Sequence, residues 1–412
     1  MNVLDKNDCL KMRILPLLLL LTTNSFAQEM FISISGKLID NKSKEPIPYA
    51  SIYIKSKSIG TTSNNEGRFL FHMPSVFNQD TLIISVIGYN QFKSRVSQMT
   101  EKENVIELKQ STTLLNEVTV RASKKELTGK EIVKKAVARI PENYPMKPFA
   151  IEGFFRDLQM ENDKPVELLE AALKFNYKDY NPGYEDVQII EVRRSFNKRH
   201  PVNGEYDRQN SIIDLMEDNY IKHRFGPINV KGWKFVVDSI LTYNNQTAYK
   251  ISGTKSPSES TEMYIDCDDF SVLKLELKMQ MVNGEFYRRY LNLPDPYGLQ
   301  ETSFKILFEF QEMENKMYLK YQKEEDTYNL FNKTTSEIIL KQSFIKELFV
   351  NNVVQSNLDY SKDQVMNINK SVEGQAEPVN VDFWKYYNAP VETAKDSKII
   401  KELQELQFGT RK

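Results

Sequence analysis

The chain has 412 residues, enough by a rough length/150 rule for two or three domains, and 40% hydrophobic content supports real cores. Its 55 basic and 56 acidic residues leave a formal charge of −1, which excludes the basic field that nucleic acid or an anionic membrane surface calls for. The 21 tyrosines and 23 phenylalanines favour β structure.

The N-terminus reads as an address. Lys6, Lys11 and Arg13 precede the apolar run Ile14–Leu21, and the small-residue exit Thr22-Thr23-Asn24-Ser25-Phe26-Ala27 follows. This is the order of a secretory signal peptide over residues 1–27, cleaved after Ala27, with Met12 as an alternative start. The apolar run is far shorter than the roughly 20 residues that span a bilayer. The other reading is a buried N-terminal helix. Cys9 lies before the apolar run, so it cannot carry a lipoprotein lipid, and the mature chain is expected to be unlipidated. Cys267 alone remains, which rules out an intramolecular disulfide. No later segment reads as a membrane helix. The expected location is the periplasm or the outer-membrane surface.

Residues 29–110 form the first unit. Ile32, Ile34, Gly36 and Leu38 alternate with other residues along a first strand, and Tyr49, Ile52 and Ile54 lead a second. Asn64-Asn65-Glu66-Gly67 is a turn before Arg68–Phe71. Leu82–Ile87 is an apolar run buried on both faces. Gly88 after it suggests a bulge or a close backbone approach. Val105, Ile106 and Leu108 close the unit. Six or seven short strands with frequent turns predict a sandwich.

The unit resembles the carboxypeptidase-like regulatory (peptidase-associated) domain. The resemblance rests on Ser35-Gly36-Lys37-Leu38-Ile39-Asp40, on Glu45-Pro46-Ile47-Pro48-Tyr49-Ala50-Ser51-Ile52, on Gly60 to Phe69 and on Ile84-Ser85-Val86-Ile87-Gly88-Tyr89. It implies a seven-stranded, prealbumin-like sandwich without catalytic residues of its own. Such domains occur on secreted carboxypeptidases and at the front of TonB-dependent transporters. Leu114–Val120, in the connector, is similar to a stretch that can contact energy-coupling proteins in those transporters; the plainer reading is an ordinary packed strand.

Residues 111–148 are a connector and a helix. Thr128 and Glu131 make a capping box, and Ile132, Val133, Ala136, Val137 and Ile140 form an apolar stripe. Pro141 and Pro145 are expected to end the helix. Residues 149–350 are β-rich. Strands are expected at Ala150–Arg156, Val166–Tyr177, Val187–Val192, Trp233–Tyr243, Ala248–Gly253, Glu262–Asp266, Val272–Met281, Phe286–Leu291, Phe304–Phe310, Lys316–Lys323 and Glu337–Lys341. A helix is expected at Ser211–His223. The rhythm from Tyr249 to Leu277 resembles the curved antiparallel sheet of periplasmic lipoprotein-carrier proteins. Residues 351–412 read as a polar tail with a short helix at Lys398–Leu406. Within it, Asp382–Tyr387 is an aromatic knot that either docks the tail on the sheet or meets a partner.

Chemistry is sparse. His72, His200 and His223 have no zinc-site spacing, and no nucleophile elbow, P-loop or dinucleotide glycine motif occurs. No catalytic residue, cofactor or metal ligand is assigned. Asp266, Asp268 and Asp269 read as a turn; as calcium ligands they lack the EF-hand glycine and glutamate. Arg193, Arg194, Lys198 and Arg199 form a basic cluster. It is either a solvated loop or a contact for an anionic glycan or lipid head group.

The expected fold is mainly β: a seven-stranded prealbumin-like sandwich, then a larger curved antiparallel β domain with a few helices. The expected function is a non-enzymatic binding or assembly module of a Gram-negative envelope, with a protein, glycan or lipid partner. One alternative is a periplasmic carrier of a lipid or other apolar ligand on the curved sheet. Another is a hydrolase accessory or a carboxylate-based hydrolase.

Overall fold

The computed structural model describes residues 31–100, 102–111, 127–180, 186–197, 212, 221, 225, 229–243, 246–280, 295–355, 360–368, 372–375 and 380–409. The signal segment, Leu114–Val120 and Phe286–Leu291 lie outside them, as does Ser211–His223 apart from Ile212 and Ile221.

The protein is mainly β. Seven strands make two small facing sheets. One has the order β4-β1-β7, from β1 (Phe31–Asp40), β4 (Arg68–Pro74) and β7 (Asn104–Leu108). The other has the order β3-β2-β5-β6, from β2 (Ser51–Ile54), β3 (Gly60–Thr62), β5 (Thr81–Ser85) and β6 (Phe92–Arg95). The period-2 alternation of β1 turns Ile34, Gly36 and Leu38 inward. There they meet Phe69, Phe71, Ile52 and Ile84.

The turn before β4 forms because Asn64 Oδ1 accepts the N–H groups of Glu66 and Arg68, both at 2.9 Å, while Gly67 takes φ 72°. Gly88 also has positive φ, 85°, but a Cβ there would meet no atom within 4 Å. Its glycine answers the turn, not the close approach the sequence suggests.

Ten strands form one antiparallel sheet, ordered β10-β9-β8-β17-β16-β15-β14-β13-β12-β11. They are β8 (Phe149–Glu161), β9 (Lys164–Tyr177), β10 (Asp186–Asn197), β11 (Lys234–Tyr243), β12 (Gln246–Ser256), β13 (Glu259–Asp266), β14 (Val272–Gln280), β15 (Tyr297–Met313), β16 (Lys316–Asn332) and β17 (Ile338–Gln355). The last strand of the chain thus lies beside the first of this domain. Phe155 and Leu173 near one edge share a core with Ile251 and Leu275 near the other, so the sheet bends around its inner face.

Helix α1 (Gly129–Ala138) adds its stripe to that core through Ile132, Val133 and Ala136. The Thr128–Glu131 capping box is formed in both directions. Pro141 does not stop the helix outright. It sits in the first turn of a second short helix, α2 (Ile140–Asn143), where a missing N–H costs nothing.

β16 and β17 are much longer than expected, and order continues beyond Phe349. The sequence conceals this because polar residues occupy the inner face at this end of the sheet. Asp157, Gln159, Glu167, Gln322, Glu324 and Lys346 are all buried. Lys346 stands in register between Asp157 and Glu324, so opposite charges face each other across three strands.

The C-terminal segment holds α3 (Val381–Trp384) and α4 (Ala394–Gly409), the latter longer than the expected Lys398–Leu406. Ile399, Ile400 and Leu403 of α4 pack on Leu158 and Leu168, on the outer face of the large sheet.

Candidate ligand-binding cleft

β16 and β17 pair from Phe331–Ile338 to Tyr321–Phe349 and then part. Beyond that point β17 pairs with β8 alone, from Val350–Gly153 to Gln355–Phe149, while Lys316–Leu319 of β16 pair only with β15. The sheet therefore forks. The β2–β3 hairpin of the sandwich enters the fork: Ile59 bridges Asn352, and Val353 N donates to Ser58 O at 3.3 Å.

Side chains fix the entry. Tyr49 stacks on Tyr321, with ring centroids 5.4 Å apart. Lys320 Nζ reaches Glu309 at 2.9 Å and Tyr49 O at 3.5 Å. The hairpin does not fill the fork. A cleft of about 920 Å³ remains between it and the β15–β16 turn, lined in part by Tyr53, Gly60, Met313, Tyr318, Val350 and Val354. Its walls offer strand edges, amides and apolar side chains together.

On the other side of the hairpin lies a smaller pocket of about 320 Å³. The sandwich supplies Lys57 and Phe77, the sheet Glu152 and Asn351, and the C-terminal segment Tyr386 and Tyr387. The C-terminal segment is the clasp here. Asn388 bonds to the backbone of His72 in both directions, Asn64 Nδ2 donates to Val391 O at 2.9 Å, and Tyr386 stacks on Phe31 at 5.0 Å. Of the aromatic knot, Trp384 and Tyr387 pack on the Phe154–Tyr321–Phe349 cluster, while Tyr386 stays half exposed.

The sandwich that feeds this cleft has a recognisable sequence. Residues 34–120 match the CarboxypepD_reg-like domain. That is about a fifth of the chain, and the CarboxypepD_reg-like domain therefore provides one wall of the cleft and says nothing of the other. No curated protein matches the chain.

Solved structures are similar over part of the chain. A LolA superfamily protein from Nitrosomonas europaea is 11% identical, covering 58% of this chain and 99% of that one, at a TM-score of 0.23. A DUF1329 family protein from Desulfovibrio piger is 6% identical, covering 57% and 96%, at 0.26. A chain of the Pseudomonas aeruginosa MucA/MucB complex is 10% identical, covering 55% and 99%, at 0.19. Among the described residues, no helix is long and apolar enough to cross a membrane.

The basic cluster expected in a loop is divided. Arg193 and Arg194 lie within β10, while Lys198 and Arg199 fall outside the described residues. A register shift between Val192 and Arg194 brings both guanidinium groups to one buried carboxylate. Arg193 Nε is 2.7 Å and Arg194 Nη1 2.6 Å from Glu170 Oε2. Arg156 joins them: its Nε is 3.6 Å from Glu170 Oε1 and its Nη2 2.8 Å from Asp396 Oδ1. Burial opposes ionisation of Glu170, but the arginines outweigh it and hold its carboxyl below the usual range. Arg194 also holds Glu392 at 2.5 Å, and Arg193 covers Trp384 and Phe154. These two arginines thus bind the C-terminal segment to the sheet.

The remaining candidates are quiet. Asp266 Oδ1 accepts the N–H groups of Asp268 and Asp269 at 2.7 and 3.2 Å, which makes the turn after β13. Burial, with Asp266 beside it, pushes the Cys267 thiol up to about 12, so it stays protonated and is a poor nucleophile at neutral pH.

The sequence reading missed the fork itself. Its one local trace is the pair of asparagines, Asn351 and Asn352, at the point where β17 changes neighbours.

Proposed function

We propose that the protein is a non-enzymatic binding module of the cell envelope, which holds an extended polypeptide segment of a partner in the fork. The fork is the observation that carries this reading. Two strands part and leave backbone edges facing a cleft of about 920 Å³. Val353 already shows the chemistry, since its N–H is answered by the sandwich hairpin. An added strand would answer the neighbouring edge groups in the same way, with apolar walls selecting side chains. The CarboxypepD_reg-like domain places its hairpin between the edges. The signal-peptide pattern supports export, and the envelope setting rests on it. The carrier alternative has less support. It needs space on the inner face of the large sheet, where among the described residues an apolar core runs from Phe155 and Leu173 to Ile251 and Leu275.

The test is a peptide screen with the mature chain, residues 28–412, followed by amide hydrogen exchange on the best binder. Binding should protect Lys316–Leu319 and Val353–Gln355, and the peptide should be recovered with its mass unchanged. Protection confined to other strands would sink the site. A cleaved or modified peptide would sink the non-enzymatic reading.

A further inference from the structure

The large cleft in the fork has walls of opposite charge. The turn of the sandwich hairpin brings Lys55 and Lys57 to one side, and the β15–β16 turn brings Glu312 and Glu314 to the other. All four residues are exposed. Among the described residues none of them is in a salt bridge. Lys57 rests over the Phe77 ring at 5.6 Å, and Glu314 accepts a hydrogen bond from Gln355 Nε2 at 3.4 Å. Neither contact cancels a charge. Lys320, deeper in the same cleft, is different, because Glu309 neutralises it at 2.9 Å. A field therefore runs across the cleft, from the hairpin to the turn.

We infer that the partner segment carries an acidic and a basic residue at neighbouring positions, flanked by uncharged ones. This rests on the reading of the fork as a peptide site and names the chemistry of its ligand. The backbone edges of the fork take the main chain, so the side chains are left to the hairpin and the turn. In an extended strand, neighbouring side chains point to opposite sides. An adjacent acid–base pair reaches both walls at once, the acid toward Lys55 and the base toward Glu312. The same two residues spaced by one point to a single wall, where one of them meets its own charge. Tyr53, Ile59, Tyr318, Val350 and Val354 give the flanking residues apolar surface. Charge complementarity of this kind decides which segment is accepted, and in which register, more than it adds affinity.

The test titrates the mature chain with three end-blocked peptides: Thr-Val-Thr-Asp-Lys-Thr-Val-Thr, its isomer Thr-Val-Asp-Thr-Lys-Thr-Val-Thr, and the neutral Thr-Val-Thr-Asn-Gln-Thr-Val-Thr. Fluorescence anisotropy gives the affinities, and amide hydrogen exchange shows which strands each peptide protects. In about 20 mM salt the adjacent isomer should bind about fivefold tighter than either of the others, the scale of two exposed ion pairs. In about 500 mM salt the difference should vanish. Lys55→Glu with Lys57→Glu gives both walls one sign and should abolish the preference. Adding Glu312→Lys and Glu314→Lys exchanges the walls and should restore it. All four positions are exposed, so the variants keep the fold. Protection of Lys316–Leu319 and Val353–Gln355 with equal affinity for the two isomers, or with tighter binding of the spaced one, would overturn the charge rule and leave the fork as a peptide site. Three peptides that all leave those segments unprotected would overturn both.

Discussion

The Asn388 side chain stands in for a β-strand along His72. His72 N donates to Asn388 Oδ1 at 2.7 Å, and Asn388 Nδ2 donates back to His72 O at 3.0 Å. One amide thereby satisfies the outer edge of β4 at a buried position, 316 residues away in sequence. Asn388→Ala should cost about 2–4 kcal/mol, because it leaves a buried N–H and C=O unanswered. Denaturant unfolding measures the loss. Limited proteolysis should then cut between the sandwich and the large sheet sooner than in wild type. Unchanged cutting would mean that the two parts are held by other contacts.

Glu170 is the shared anion of Arg156, Arg193 and Arg194. Glu170→Gln keeps the shape and removes the charge. Breaking a buried ion pair on one side costs about 3–5 kcal/mol, and that loss is expected here. Replacing Glu170, Asp396 and Glu392 together with all three arginines by apolar residues should cost less than the single change. Urea midpoints of the two variants test the ordering.

His72 gives a pH dependence. Burial holds its imidazole below the ordinary 6.5, and its Nδ1 lies 2.7 Å from Ser33 Oγ. The unfolded chain therefore takes up the proton first. The stabilisation is full above 6.5 and is lost as pH falls from there through the folded-state value. Glu170 and Asp396, also held below their ordinary 4.5 and 3.8, add losses of the same sign at lower pH. Melting temperature should fall between pH 7.5 and 5.5 in wild type, and less so in His72→Gln. Parallel curves would remove His72 as the cause.

Two turn glycines separate strain from crowding. Both have positive φ, but a Cβ on Gly67 would lie 2.5 Å from Leu38 O, whereas one on Gly88 meets nothing. Gly88→Ala should cost about 1 kcal/mol for the backbone alone. Gly67→Ala should cost about 2–4 kcal/mol, since the backbone must also move. Equal losses in calorimetry would contradict the contact.

What could be read from the sequence was local. The Thr128–Glu131 capping box spans four residues, and the Asn64–Gly67 turn likewise, so propensity settles both. The alternation of β1 was equally plain. The fork could not be read, because it depends on where Tyr321 and Phe349 stop pairing, and neither residue carries a local mark of it. Arg193 and Arg194 looked like a solvated cluster because their partner, Glu170, lies on another strand. Gln322, Glu324 and Lys346 disguised two long strands, since polar residues on an inner face break the two-residue period.

The clasp formed by Tyr386, Asn388 and Val391 orders events in time as well as space. A ribosome reaches these residues only after both β units have been made. Until then the small pocket beside the sandwich hairpin lacks the wall that Tyr386 and Tyr387 supply. A polypeptide cut short after Gln355 would retain every described strand of both units and the whole lining of the larger cleft, yet lose what latches one unit to the other.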